Sequence, residues 1–257
     1  VKDAGAKRAA LIGTPGGTFW TPAHQRDALV VLLTAVTGAV DAIGFTRLGG
    51  VFTSVMTGNM VLLGVSAGKS DVSLAIHTGV AFVCFISGSL VGARVAGHAT
   101  KDQHFWPRPI LTALVLELAV LAVFGVWWEL VAGDPVGGSE YAMLGINAVA
   151  LGIQSAAVLR FGISGLSTTY LTGTLTQLVA SFTKRDEPIV GRNVSVLLAL
   201  IAGAGLGAAV ALKVPRVAPV VPIGILAFVV VCGEIVFHRR TDVERARADV
   251  TLERHSG

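Results

Sequence analysis

Asp41 is the residue whose type and place most demand a chemical reason, because it stands inside an apolar segment that runs from about 28 to 46. A carboxyl at membrane depth is costly and is by default a functional group. Proton or cation coupling is one use for it. A packing contact to Arg47, Thr57 or Asn59 is the other. Arg47 and Arg160 each close an apolar segment. Such arginines can hold an anion at the mouth of a path or reach out to lipid head groups. A third group is rich in hydroxyls and is expected to line the path, where two short helices meet near the midplane with their ends facing one ligand. Thr53, Ser54, Thr57, Gly58 and Asn59 fall in one short segment, and Thr168, Thr169, Thr172, Gly173, Thr174 and Gln177 in another. Glycine permits unusual φ and threonine can bond freed backbone groups, so the Thr-Gly pairs are where helices are expected to break. Glu117 and Glu234 are further protonation candidates, His77 is expected near water, and Trp127 and Trp128 read as interfacial anchors.

These residues need elements to position them. The chain has 257 residues, 53% hydrophobic and 14% charged, against about 25% charged in an ordinary soluble domain. Its mean hydropathy is +0.72, so it cannot cover a water-facing surface and must face lipid. Eight apolar segments follow, at 28–46, 51–68, 74–97, 110–132, 142–160, 166–182, 194–212 and 217–237. Residues 1–27 lack the apolar core of a cleavable signal, so the first apolar run is expected to target the chain and stay in place. Cys84 and Cys232 lie in apolar runs and read as free buried thiols. The net charge of +4 reads as a topology signal and not as a nucleic-acid footprint.

Segments five to seven repeat segments one to three. Ala35-Val36 aligns with Ala148-Val149, Asp41 with Gln154, Arg47 with Arg160, and Gly49 with Gly162. After a two-residue insertion, Thr53 aligns with Thr168, Thr57-Gly58 with Thr172-Gly173, and Gly88 and Gly92 with Gly203 and Gly207. If all eight segments cross, Arg94, Lys101 and Arg108 fall outside and the acidic link of Glu129, Asp134 and Glu140 falls inside, against the positive-inside rule. If 51–68 and 166–182 dip and return, both signs come right. The expected fold is therefore an all-α integral membrane bundle of six spans plus two short re-entrant segments, with eight spans as the alternative. Each half then crosses three times, so the halves, 28–132 and 142–237, are expected to be inverted around a shared path. The arm 1–27 and the charged tail 238–257 are expected in the cytoplasm of a bacterial cell, with the bundle in its inner membrane. The Gly-x-x-x-Gly motifs pack the halves together or form a homodimer.

The stretch Gly38-Ala-Val-Asp41-Ala-Ile-Gly-Phe45, with Gly49-Gly-Val-Phe52 and Met56-Thr-Gly-Asn59 after it, resembles the YoaK-like family of bacterial membrane proteins. The resemblance runs from about 28 to 237. It implies a multi-pass inner-membrane protein and no established substrate. No Walker loop, His-Glu-x-x-His motif or Ser-His set appears, so neither an enzyme nor ATP-driven transport is expected, and no cofactor or metal is implied. The expected function is a secondary transporter or channel for a small polar or ionic solute. The alternative is a membrane scaffold working through its Gly-x-x-x-Gly faces and charged tail.

Overall fold

The structure, a computed structural model, describes residues 22–97, 108–160, 171–184 and 187–235. The expectations for the arm before 22, for Lys101, Gly162, Thr168 and Thr169, and for the tail after 235 lie outside the described residues. The helices are α1 (Pro22–Arg47), α2 (Met56–Lys69), α3 (Val72–Val95), α4 (Arg108–Leu130), α5 (Gly138–Leu159), α6 (Leu171–Lys184) and α7 (Glu187–Lys213). A single 3-10 turn, Pro215–Val217, leads into α8, which covers 220–235.

Six of these stretches are long and apolar enough to cross a membrane, and α2 and α6 are not among them. Each has 14 residues, so each rises about 21 Å at 1.5 Å per residue, short of the roughly 30 Å of a hydrocarbon core.

Contacts at the helix ends give the directions. At one end, Arg47, the last residue of α1, meets Gly133 and Asp134 after α4, Gly49 packs under His77 of early α3, and His77 reaches Glu140 of early α5. Trp128 of late α4 donates to the Pro215 carbonyl after α7. At the other end, Arg160 after α5 donates to the Ala93 carbonyl of late α3. The chain therefore leaves α1 and enters α3 at the same end, and 48–71 dips and returns, as the charge of the loops predicts. By the same count α6 leaves and returns at the Arg160 end.

Glycine sets the closest helix crossings. A Cβ on Gly203 would lie 2.1 Å from the Ala35 carbonyl oxygen, and one on Gly207 2.7 Å from the Ala39 backbone. Gly88 and Gly92 meet Val149 and Ile153 of α5 in the same way, at 2.2 and 2.7 Å. From the other side, Gly38 meets Leu200 and Ala204, and Gly152 meets Phe85 and Ser89. Both pairs match in ascending order, so α1 runs parallel to α7, and α3 to α5. Of the two uses expected for the Gly-x-x-x-Gly faces, packing the halves together or forming a homodimer, these contacts are the first: the first helix of each half packs on the third helix of the other.

These contacts correct the repeat register. The two nearest contacts of each crossing correspond when Gly38 is set on Gly152 and Gly88 on Gly203. Asp41 then stands opposite Ser155, not Gln154, and Arg47 is not opposite Arg160. The identities at the helix ends misled the alignment, because end residues follow loop length while interior glycines follow packing.

Two apolar clusters fill the bundle. One, toward the Arg160 end, holds Leu33, Val40, Leu114, Leu121, Leu151 and Leu226. The other, toward the Arg47 end, holds Ile43, Leu48, Phe124, Trp128, Met143 and Leu144. Trp128 is fully buried in this second cluster and is not an interfacial anchor. His77 is likewise buried, although its place near a helix start suggested water. Both cysteines are free thiols and only half-buried.

Candidate functional site

The return loop 48–55 is held against α1 by two polar side chains. Asp41 Oδ1 accepts from the backbone N–H of Thr53 at 2.7 Å, the backbone N–H of Ser54 at 2.8 Å and the Thr53 hydroxyl at 2.8 Å. Asp41 Oδ2 accepts from the Ser54 hydroxyl. The carboxylate thus replaces the partners that a helix would have given those N–H groups. Gly44 lets the loop come this close, because a Cβ there would lie 3.0 Å from the Thr53 methyl and 3.3 Å from the Val51 carbonyl oxygen. Phe52 stacks on Phe45, with ring centroids 5.0 Å apart.

Asn59 closes the loop from the other side. Its Oδ1 accepts from the Phe52 N–H at 3.1 Å and its Nδ2 donates to the Phe52 carbonyl at 2.6 Å. One side-chain amide thereby serves both backbone groups of Phe52 at membrane depth, where each unserved group would cost several kcal/mol. Asp41 and Asn59 are both buried. Together they explain the spacing of Asp41, Thr53-Ser54 and Met56-Thr-Gly-Asn59: the motif builds a buried chain reversal.

Gln154, on α5, meets α1 one to two turns before Asp41. Its Nε2 donates to the Leu33 carbonyl at 3.1 Å and to the Thr37 hydroxyl at 2.7 Å, while its Oε1 has no protein partner. Asn147, also on α5, is fully buried with both amide atoms unpartnered. Asp41 and Asn147 both sit where one apolar cluster gives way to the other along their helices. A polar layer therefore crosses the bundle at α1 and α5. Asn193 on α7 is a second buried amide with neither atom partnered by the protein.

The remaining candidates fall elsewhere. Thr57 is exposed on α2, and Thr172 and Gly173 are exposed on α6. Nothing lies within 4 Å of a Cβ built on Gly173. Gly58 is half-buried against Val55 and Phe52. Thr174 is buried and Gln177 is half-buried, and both have partners. Among the described residues, α2 packs chiefly on α3 and α6 chiefly on α7. The expected meeting of two short helices over one ligand is not what these contacts form, because each short helix lines the flank of a third helix. Arg47 bonds the Gly133 carbonyl at 2.8 Å and Asp134 at 3.2 Å, and Arg160 bonds the Ala93 carbonyl at 3.2 Å. Each arginine thus serves a carbonyl at a helix end, where orphan acceptors collect. The two arginines lie at opposite ends of the bundle, and at each the guanidinium is engaged by the chain instead of standing free for an anion. Glu234 is exposed at the end of α8.

Sequence reasoning missed Asn147, Asn193 and Ser155. A signal existed for each: the first two are amides inside apolar runs, and setting Gly38 on Gly152 brings Ser155 opposite Asp41.

A family model described as "Protein of unknown function (DUF1275)" matches residues 29–232. The chain belongs to this family. It is also similar to the curated UPF0700 transmembrane protein YoaK of Bacillus subtilis (strain 168), with 37% identity over 165 residues, 64% of this chain and 71% of that protein. No solved structure matches. The YoaK-like resemblance read from Gly38–Phe45 and Met56–Asn59 is thereby shown, and with it a multi-pass membrane protein. The matched region takes in every residue of the loop anchor and of the polar layer.

Proposed function

We propose that this DUF1275 protein is a secondary transporter or channel for a small polar or ionic solute, with its path along the polar layer of α1 and α5. The observation that carries the reading is that Asn147 and Gln154 bring amide atoms without protein partners to the middle of a lipid-embedded bundle. Buried polar groups are normally satisfied, and an unsatisfied one costs about 1–3 kcal/mol. A passing solute or water file would satisfy them in turn. The halves are read as inverted, supported by the matching glycine crossings and by the opposite directions of α1 and α5. Asp41 serves the path indirectly, by fixing the return loop that flanks it.

Orientation follows from charge. Arg26, Arg94, Arg108, Arg160 and Arg192 gather at the Arg160 end with Asp27 and Glu234, whereas the Arg47 end carries Asp71, Glu129, Asp134 and Glu140 beside its four cations, Arg47, Lys69, Lys213 and Arg216. The positive-inside rule supports reading the Arg160 end as the cytoplasmic one, and the membrane is read as a bacterial inner membrane.

The test is reconstitution into liposomes, with osmotic swelling for neutral polar solutes and ion-sensitive dyes for small ions. Flux above empty liposomes is expected, and it is expected to fall in Gln154→Leu and Asn147→Leu. Folded protein that carries no solute of the panel, or carries it equally in both variants, counts against the path.

A further inference from the structure

Most described carboxyls outside the loop anchor are ion-paired, cap a helix or are exposed. Asp27 pairs with Arg26, Asp71 caps α3, Asp134 meets Arg47 and Glu140 meets His77. Glu129 and Glu234 are exposed. Glu117 is 0% exposed, and neither of its oxygens has a protein partner.

Its surroundings are apolar. Glu117 lies nine residues into α4, about 14 Å from the Arg108 end at 1.5 Å per residue. Ala113, Leu114 and Leu121, on its own face one turn away, are buried members of the apolar cluster. The helices around it offer no cation at that depth. α5 has no titratable residue between Tyr141 and Arg160. α3 has only Cys84 between His77 and Arg94, and α1 has only Asp41 between Asp27 and Arg47. α8 has Cys232 and Glu234, and the Pro215–Val217 turn has Arg216 at the far end of α4. A metal cation would need several oxygen ligands. No cluster of three His, Cys, Asp or Glu occurs among the described residues.

We propose that Glu117 is a proton-binding residue of the transport cycle, closed to water in this conformation and opened to it in another by movement of α4 against α5. The proton is the one cation that needs no further ligand. In the closed state it rides on the carboxyl. In the open state the O–H bond breaks, the proton passes to water and the carboxylate is hydrated. This rests on the transport reading for its purpose and on burial without a partner for its chemistry. It also divides labour between two acids: Asp41 is an anchor with four donors, and Glu117 is the exchanging group.

The test uses dicyclohexylcarbodiimide on the full chain in liposomes. The apolar reagent takes the acid proton on one nitrogen while the carboxyl oxygen attacks its central carbon, and the adduct rearranges to an N-acylurea with no leaving group. Peptide mass mapping is expected to find the adduct on Glu117 and not on Asp41, to lose it in Glu117→Gln, and to find it decreasing as pH rises. Glu117 left unmodified at every pH, in protein that elutes as folded by gel filtration, overturns the proposal. So does labelling that does not change with pH, since the carboxyl would then never meet water. An infrared carboxylic-acid C=O band lost in Glu117→Gln is the second measurement, and its absence from the wild type also overturns the proposal. Labelling that falls with pH in a protein that carries no solute keeps the proton site and removes the transport reading. Solute flux without labelling does the reverse.

Discussion

Replacing Asp41 measures how strongly one carboxylate holds a chain reversal inside a membrane. Asp41→Ala strips the acceptor from two backbone N–H groups and two hydroxyls. The hydroxyls can turn to nearby carbonyls, as Thr34 and Thr37 do toward Val30 and Leu33. The N–H groups of Thr53 and Ser54 cannot, because Thr53 and Ser54 are buried and the loop is pressed on Gly44. At about 1–3 kcal/mol for each unserved donor, the loss is roughly 2–6 kcal/mol. That is several times the average of about 0.6 kcal/mol for a side-chain hydrogen bond between membrane helices. Asp41→Asn keeps the Oδ1 acceptor and turns its amide toward the Ser54 hydroxyl, which can accept. Only the charge assistance goes, at about 1 kcal/mol. The assay is SDS-driven unfolding in mixed micelles, with maleimide labelling of Val55→Cys as a local readout of the loop. The expected order of stability is wild type, Asn, Ala, with labelling rising in the reverse order. Equal stability of the Ala and Asn variants would refute the anchoring argument, because the number of orphaned N–H groups would then not matter.

Gly88→Ala and Gly203→Ala are expected to destabilise by similar amounts, about 1–3 kcal/mol for overpacking, since they occupy matching places in the two crossings. Gly64→Ala and Gly68→Ala, with nothing near the added methyl, are expected to be neutral in the same SDS titration. Gly49→Ala is expected to cost more than Gly50→Ala: both have positive φ, but only at Gly49 does a Cβ strike the His77 ring, at 2.0 Å. The left-handed conformation alone costs roughly 1–2 kcal/mol, so the excess reports the His77 contact, and limited proteolysis of the loop is the check.

Much of this fold was legible because lipid leaves few choices. The apolar runs and the sign of the loop charges led to six crossings and two returns, and the contacts of Arg47, Gly49 and His77 bear out the first return. The site was less legible. Thr57, Thr172 and Gly173 read as path residues, yet they face outward. A helical hydroxyl can bond the carbonyl four residues back, as Thr176 does with Thr172 and Ser181 with Gln177, so it needs no polar neighbour. Composition alone does not separate that case from a wet lining. Asp41 stood out by type, but its partners came from a loop whose path a helical pattern does not encode. Trp128 looked like an anchor by position and is a core residue by rotation of α4.

The crossed glycine contacts also bear on how the chain is made. α3 and α5 leave the ribosome close together and can pair as soon as α5 is inserted. α1 has to wait for α7, about 170 residues later, which at typical synthesis rates is roughly 10–30 s. During that interval the small-residue face of α1, with Ala35, Gly38 and Ala39, and the carboxylate of Asp41 enter the bilayer before their distant partner exists. The return loop, only a dozen residues behind Asp41, reaches that carboxylate first. The reversal at 48–55 thus doubles as an internal chaperone, shielding the costliest group of the first helix while the rest of the bundle is still being synthesised.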